Sequence, residues 1–293
     1  MEESFLRYIR YEKNLSFHTV LSYKNDLLQF ESFIKRQPEG GEPENADGDM
    51  IRNWIAELME TGLSARSVAR KISSLRAFFK YLVKEGRITK SPVAGLSLPK
   101  IRKKLPVFVR TAEMDMLIDE VPFGTDFRGK RDKLVLDMLY STGMRRAELI
   151  GLTDRDVDFE RCLLKVTGKR NKQRLIPFGR ELYELLLDYR NERDRVVAGR
   201  SEAFFVRENG EAFYPGLVYR IVTRYLGQVC TLSKRSPHVL RHTFASAMLN
   251  NGAELNSVKE LLGHSSLAST EVYTHITVEE LKKNYKQAHP RAD

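Results

Sequence analysis

The chain has 293 residues, enough for two ordinary domains with a core each, and its 42% hydrophobic content is that of a soluble globular protein able to fold without staples. Lys and Arg number 49 against 39 Asp and Glu, a net charge of +10 that favours a polyanionic partner more than in an average chain. Two widely spaced cysteines, Cys162 and Cys230, exclude a disulfide scaffold, and no apolar run is long enough to cross a bilayer. A soluble protein of a reducing, intracellular compartment is expected, with no membrane partner.

The first part reads as helices. One opens near Glu3. A second follows Ser16 as N-cap and carries Val20, Tyr23, Leu27, Phe30 and Ile34 at helical spacing. The loop "RQPEGGEPENADGD" closes it. A third runs from about Asp49 with Ile51, Trp54, Ile55, Leu58 and Met59, and stops at Gly62. The fourth spans Ser64 to the Gly86 stop, with Val68, Ile72, Leu75, Phe79 and Leu82 inward and Arg66, Arg70 and Arg76 away from that stripe. These arginines form either a solvated face or a surface for an anionic polymer. Residues 91–109, "SPVAGLSLPKIRKKLPVFV", hold three prolines and no helical period, so they read as an extended linker between a domain at 1–90 and one at 110–293.

Beyond the linker, helices are expected at 111–121 and 130–141, then a strand, turn and strand in "CLLKVTGKRNKQRLIPF" with a basic tip. Helices follow at 179–197, 216–229, 237–250 and 256–262, with a short one ending near Tyr273 and a terminal one from Thr277. The fold class is mainly α with a small antiparallel sheet: a four-helix N-terminal domain followed by an α+β domain.

Residues 236–252, "SPHVLRHTFASAMLNNG", place His238 and His242 four apart on one helix. Zinc helices of that spacing need a carboxylate between the histidines, whereas here Arg241 intervenes and would repel a divalent cation, so no metal is expected. Pro237 suits the first helical position, which sets His238 and Arg241 near the positive end of the helix, with Leu240, Phe244 and Met248 on the buried face. Such a helix can grip an anion. Three more segments offer similar groups. In "YSTGMRRAEL", Gly143 ends one helix and Arg145 starts the next, with Glu148 three residues on to hold its guanidinium. In "TGKRNKQR", Lys169 sits at a hairpin turn, while Arg170, Lys172 and Arg174 read as a solvated tip. "ELLGHSSLASTEVYTHI" ends a helix at Gly263, follows it with His264 and puts Tyr273 nine residues later.

The set Arg145, Lys169, His238, Arg241, His264 and Tyr273 resembles the tyrosine recombinase (phage integrase) family. "TGMRRAEL", "SPHVLRHTFA", "LLGH", "YTH" and the tail "HPRA" look like its Xer subgroup. The resemblance implies Tyr273 as nucleophile on a DNA phosphodiester, Arg145, Arg241, His238 and His264 clamping and activating the phosphate, and Lys169 as general acid. Arg146 falls outside the pattern. It also implies an N-terminal DNA-binding domain, contacts to duplex DNA from Arg66, Arg70 and Arg76, and a partly palindromic site. A homo- or hetero-tetramer would form on that site, with a paralogous recombinase as one possible partner, in the bacterial cytoplasm. Forked guanidiniums suit the extra charge of a phosphorane-like state, and a phosphotyrosine conserves the bond energy, so neither cofactor, metal nor ATP is expected. Xer-type chromosome dimer resolution is the leading role. A mobile-element integrase or invertase, a type IB topoisomerase and a non-catalytic DNA-binding protein are the alternatives. The terminal segment "TVEELKKNYKQAHPRAD" reads as an amphipathic helix that packs on its own domain, or, as the resemblance implies, docks on a neighbouring protomer.

Overall fold

A computed structural model describes residues 2–37, 41–98, 107–168, 171–263 and 278–292. The chain divides into two compact units, residues 1–104 and 105–293.

The first unit is helical: α1 (Glu2–Arg7, continued by a π-helical turn to Glu12), α2 (Phe17–Lys35), α3 (Gly48–Glu60) and α4 (Ala65–Lys84). Caps set the starts. Ser16, Asp47 and Ser64 accept from the backbone N–H three residues on, each satisfying a donor the helix leaves orphaned. Phe5, Phe30, Trp54, Ile72 and Phe79 fill the core, and the whole expected stripe of α4 is buried. Met59 is exposed instead, because it lies round the helix from Ile51, Trp54 and Leu58. The stretch read as an extended linker is partly folded onto this unit: residues 92–95 form a turn, and Val93 and Leu96 join its core.

The second unit begins with α5 (Thr111–Asp115, continued by a π-helical turn to Glu120), α6 (Phe127–Thr142) and α7 (Arg146–Ile150). α6 starts earlier than its hydrophobic spacing suggested because Asp126 caps it, accepting from Gly129 N–H at 2.8 Å. Next comes an antiparallel sheet in the order β1 (Val157–Asp158), β2 (Leu163–Thr167) and β3 (Gln173–Pro177). The hairpin pairs Val166 with Arg174 and Leu164 with Ile176, and β1 is a short third strand the sequence pattern did not reveal. The remaining helices are α8 (Arg180–Val196), α9 (Pro215–Val229), α10 (Pro237–Asn250), α11 (Leu255–Leu262) and α12 (Val278–Ala288). Leu134, Leu139, Tyr189, Phe204 and Phe244 are among the fully buried side chains at the centre.

α12 packs on its own unit. Leu281, Tyr285 and Ala288 enter the core, and the ring of His289 lies between those of Tyr285 and Phe244. Burial pushes the His289 imidazole down to about 3, so it stays neutral. Cys230 is buried. Cys162 is only half-buried, at a left-handed position (φ 52°) ahead of β2.

Candidate active site

α6 ends where a side chain cannot fit. Gly143 is left-handed (φ 59°), and a Cβ there would stand 2.4 Å from the Phe244 ring, so only glycine turns the chain here. Two residues later Arg145 is the N-cap of α7, and its backbone N–H donates to Glu148 Oε2 at 2.7 Å. The guanidinium folds back along the same turn, Nη1 donating to Glu148 Oε1 at 2.7 Å. The expected hold of Glu148 on Arg145 is present.

Glu148 has a second partner that the sequence did not suggest. Arg174 donates from Nη1 to Oε1 at 2.9 Å and from Nη2 to Oε2 at 2.8 Å, a bidentate pair with side chains 11% and 3% exposed. The carboxylate therefore accepts four hydrogen bonds, its full capacity. Burial pushes the Glu148 carboxyl up, but Arg174 and Arg145 outweigh it and hold the group below the usual range. Arg174 was read as part of a solvated tip. The alternation along β3 carries the missed signal: Arg174 is in phase with buried Ile176, whereas Leu175 between them faces out.

The three arginines also share the end of α11. Leu261 O accepts from Arg174 Nε at 2.6 Å, Leu262 O from Arg241 Nη2 at 2.6 Å and Gly263 O from Arg145 Nη2 at 3.1 Å. Cations suit this place, because carbonyls at a helix C-terminus lack intrahelical partners and carry the negative end of its dipole.

Arg241 comes from the first turns of α10, whose N1 position is Pro237 as expected. It is 8% exposed, and its Nη1 donates to Gly143 O at 2.7 Å. Among the described residues no carboxylate pairs with it. Burial and the nearby Arg145 charge pull its guanidinium down to about 10, which leaves it cationic at neutral pH. Two guanidiniums thus bond one carboxylate while a third, Arg241, bonds main-chain carbonyls, and the excess positive charge suits an anion. His238 projects from the same helix start and is exposed. Partial burial and the charges of Arg146, His242, Lys234 and Arg241 push its pKa below the ordinary 6.5.

Arg145, His238 and Arg241 are therefore gathered in one region. Lys169, His264 and Tyr273 lie outside the described residues, although Gly168 and Gly263, each one residue before the first two, do not. Of the candidate DNA contacts, Arg66 is exposed. Arg70 is engaged within its own unit, where it pairs with buried Asp26 and donates to Ser22 Oγ at 2.6 Å, so its charge is partly neutralised. Arg76 reaches Leu96 O at 3.5 Å. His242 is exposed, and among the described residues no three His, Cys, Asp or Glu side chains stand together as a metal site.

Residues 108–280 match the phage integrase family, and residues 3–86 match the phage integrase N-terminal SAM-like domain. Tyrosine recombinase XerC of Chlorobaculum parvum (strain DSM 263 / NCIMB 8327) is 40% identical, over 99% of this chain and 94% of that protein. Tyrosine recombinase XerC of Bacillus subtilis (strain 168) is 38% identical, over 98% of this chain and 95% of that one. The crystal structure of XerH site-specific recombinase bound to difH substrate, a pre-cleavage complex, superposes with a TM-score of 0.71 at 25% identity, covering 97% of this chain and 83% of that one.

Proposed function

Given that the chain belongs to the phage integrase family and is a site-specific tyrosine recombinase, we propose that it cuts and rejoins duplex DNA with Tyr273 as nucleophile on a phosphate held by Arg145, Arg241 and His238. The observation that carries this reading is the buried Arg241 charge, held beside Arg145 by main-chain carbonyls and paired with no carboxylate among the described residues. Two forked guanidiniums so held offer their remaining N–H groups to the nonbridging oxygens of a phosphodiester, where charge grows as the phosphorus becomes five-coordinate.

In the proposed reaction the Tyr273 oxygen attacks phosphorus and the bond to the 5′ oxygen breaks. Lys169 gives the departing 5′ oxygen its proton, and a 3′-phosphotyrosine remains. His238 and His264 bond the phosphate or take up the tyrosine proton. Because the pKa of His238 is depressed in the free protein, the ring is a neutral imidazole above pH 6.5 before DNA binds, able to donate one hydrogen bond or accept one proton. Attack by a 5′ hydroxyl of the exchanged strand then reverses the step. One phosphoester bond is traded for another throughout, so neither ATP nor a metal ion is needed.

The wider reading follows the same family. The substrate is a partly palindromic duplex bound by four protomers, identical or shared with a paralogous recombinase. The process is chromosome dimer resolution in the bacterial cytoplasm. The net charge of +10 and exposed Arg66 and Arg76 supply phosphate contacts, and Arg70 contributes less because Asp26 holds it.

The test is a suicide substrate, nicked near the site, incubated with the full chain in EDTA. The wild type should form a covalent adduct. Tyr273→Phe should form none while binding DNA within about threefold of wild type, since one hydroxyl is a small part of a mainly electrostatic interface. Cleavage by Tyr273→Phe, or adduct formation that EDTA abolishes and zinc restores, would overturn the assignment.

A further inference from the structure

We infer that Arg174, which touches no reacting group, is a positioning residue that locks the β2–β3 hairpin and the end of α11 into one frame around the phosphate. The inference rests on the catalytic reading above and adds a residue to it. The guanidinium of Arg174 spans three acceptors on two different segments: both oxygens of Glu148 in α7 and the carbonyl of Leu261 in α11. Its own backbone belongs to the hairpin, paired with Val166. It is therefore the one side chain described that bonds directly to both of those segments while standing on the hairpin.

The two glycines next to the proposed acid and second histidine lean on this junction. A Cβ on Gly168 would stand 3.2 Å from Glu148 Oε1, so the main chain entering Lys169 packs on the carboxylate that Arg174 holds. A Cβ on Gly263 would stand 3.2 Å from Arg174 Cδ, and Gly263 is left-handed (φ 63°), so the main chain entering His264 packs on the stem of Arg174 itself. Arg145 and Arg241 bond to the same α11 carbonyl row. Moving Arg174 therefore shifts the supports of all four groups together, although none of them is its direct catalytic partner. A lysine cannot replace it, because one ammonium cannot make the planar fork on Glu148 and also reach Leu261 O.

The experiment compares wild type, Arg174→Met and Arg174→Lys as full-length proteins in single-turnover cleavage. Substrates carry either oxygen or sulfur at the bridging 5′ position. Half-site affinity and thermal midpoint are measured alongside. Misplacement by about an ångström costs on the order of 100-fold, so both variants should cut the oxygen substrate about 30- to 100-fold more slowly, with affinity held within about threefold. The sulfur leaving group needs no proton, so it should recover about tenfold of the loss in either variant, because misplacement of Lys169 is part of the defect. It should recover nothing in Arg145→Ala.

A merely structural role predicts a different pattern: activity falling in proportion to the unfolded fraction, with the sulfur-to-oxygen rate ratio unchanged from wild type. That pattern, or cleavage within threefold of wild type, overturns the inference. If Arg174→Met does not fold, Arg174→Lys, which keeps the charge and the stem, is judged by the same ratio. Absence of a Tyr273-dependent adduct in the wild type would instead overturn the catalytic reading, so the two failures are told apart.

Discussion

His238 and Glu148 are tuned in the same direction by opposite means. Partial burial and four cationic neighbours push His238 below 6.5, while two guanidiniums hold Glu148 low against the burial that raises it. For His238 the free protein sheds its proton before an unfolded chain does. Stability linked to this group is therefore complete above about pH 6.5 and declines as pH falls through the depressed value. Glu148 behaves alike at lower pH: its contribution is present above the ordinary 4.5 and is lost as pH falls through its folded pKa. An anion set beside His238 must reverse the histidine shift, because it offsets the surrounding positive charge. We expect the His238 ring protons, followed by NMR, to titrate with a midpoint below 6.5 in the free protein and to move upward when a short duplex is added. A free-protein midpoint at or above 6.5 would show that the neighbouring cations do not reach it.

At the level of elements, the turn between α6 and α7 aims Arg145, and Gly143 makes that turn. Gly143→Ala adds a methyl that meets Phe244 and Leu262 at 2.4 and 2.9 Å and imposes a left-handed backbone on alanine. Strain and overpacking together should cost about 2–4 kcal/mol, read as a lower midpoint in urea with an unchanged slope. An effect below about 0.5 kcal/mol would mean that the loop yields freely. This turn was readable from sequence, because glycine after an apolar helix and before an Arg-x-x-Glu run is a local signal. The caps at Ser16 and Ser64, the α4 stripe and the start of α10 at Pro237 were readable for the same reason. What local patterns could not supply were pairings between distant segments. Arg174 meets Glu148 across 26 residues and Leu261 across 87, and the two-residue β1 and the π-helical turns have no periodicity of their own. Of the proposed catalytic set, Arg145, His238 and Arg241 fall within the described residues. Lys169, His264 and Tyr273 rest on pattern alone.

For the molecule as a whole, the terminal helix changes one expectation. With Leu281 and Tyr285 in the core of the second unit, truncation after Ile276 removes packing as well as any contact with a neighbour. Losing two large buried side chains should destabilise this unit by several kcal/mol, so the thermal midpoint should fall even without DNA. A truncated protein as stable as the full chain would show that the helix contributes little where it lies. The charge of Arg241, which no carboxylate pairs with among the described residues, has a consequence for handling the protein as well. If the folded state gathers these cations around the proposed anion site, and the unfolded one does not, folding free energy becomes a function of the anion in the buffer. Once such an ion is well above its dissociation constant, each tenfold rise in concentration adds about 1.4 kcal/mol of stability. Sulfate and phosphate also strengthen folding generally, so the informative quantity is the slope of midpoint against anion concentration, wild type minus Arg241→Leu. That difference should be positive for sulfate and near zero for chloride. Thermal shifts recorded in phosphate would then report occupancy of the proposed phosphate site along with the strength of the core.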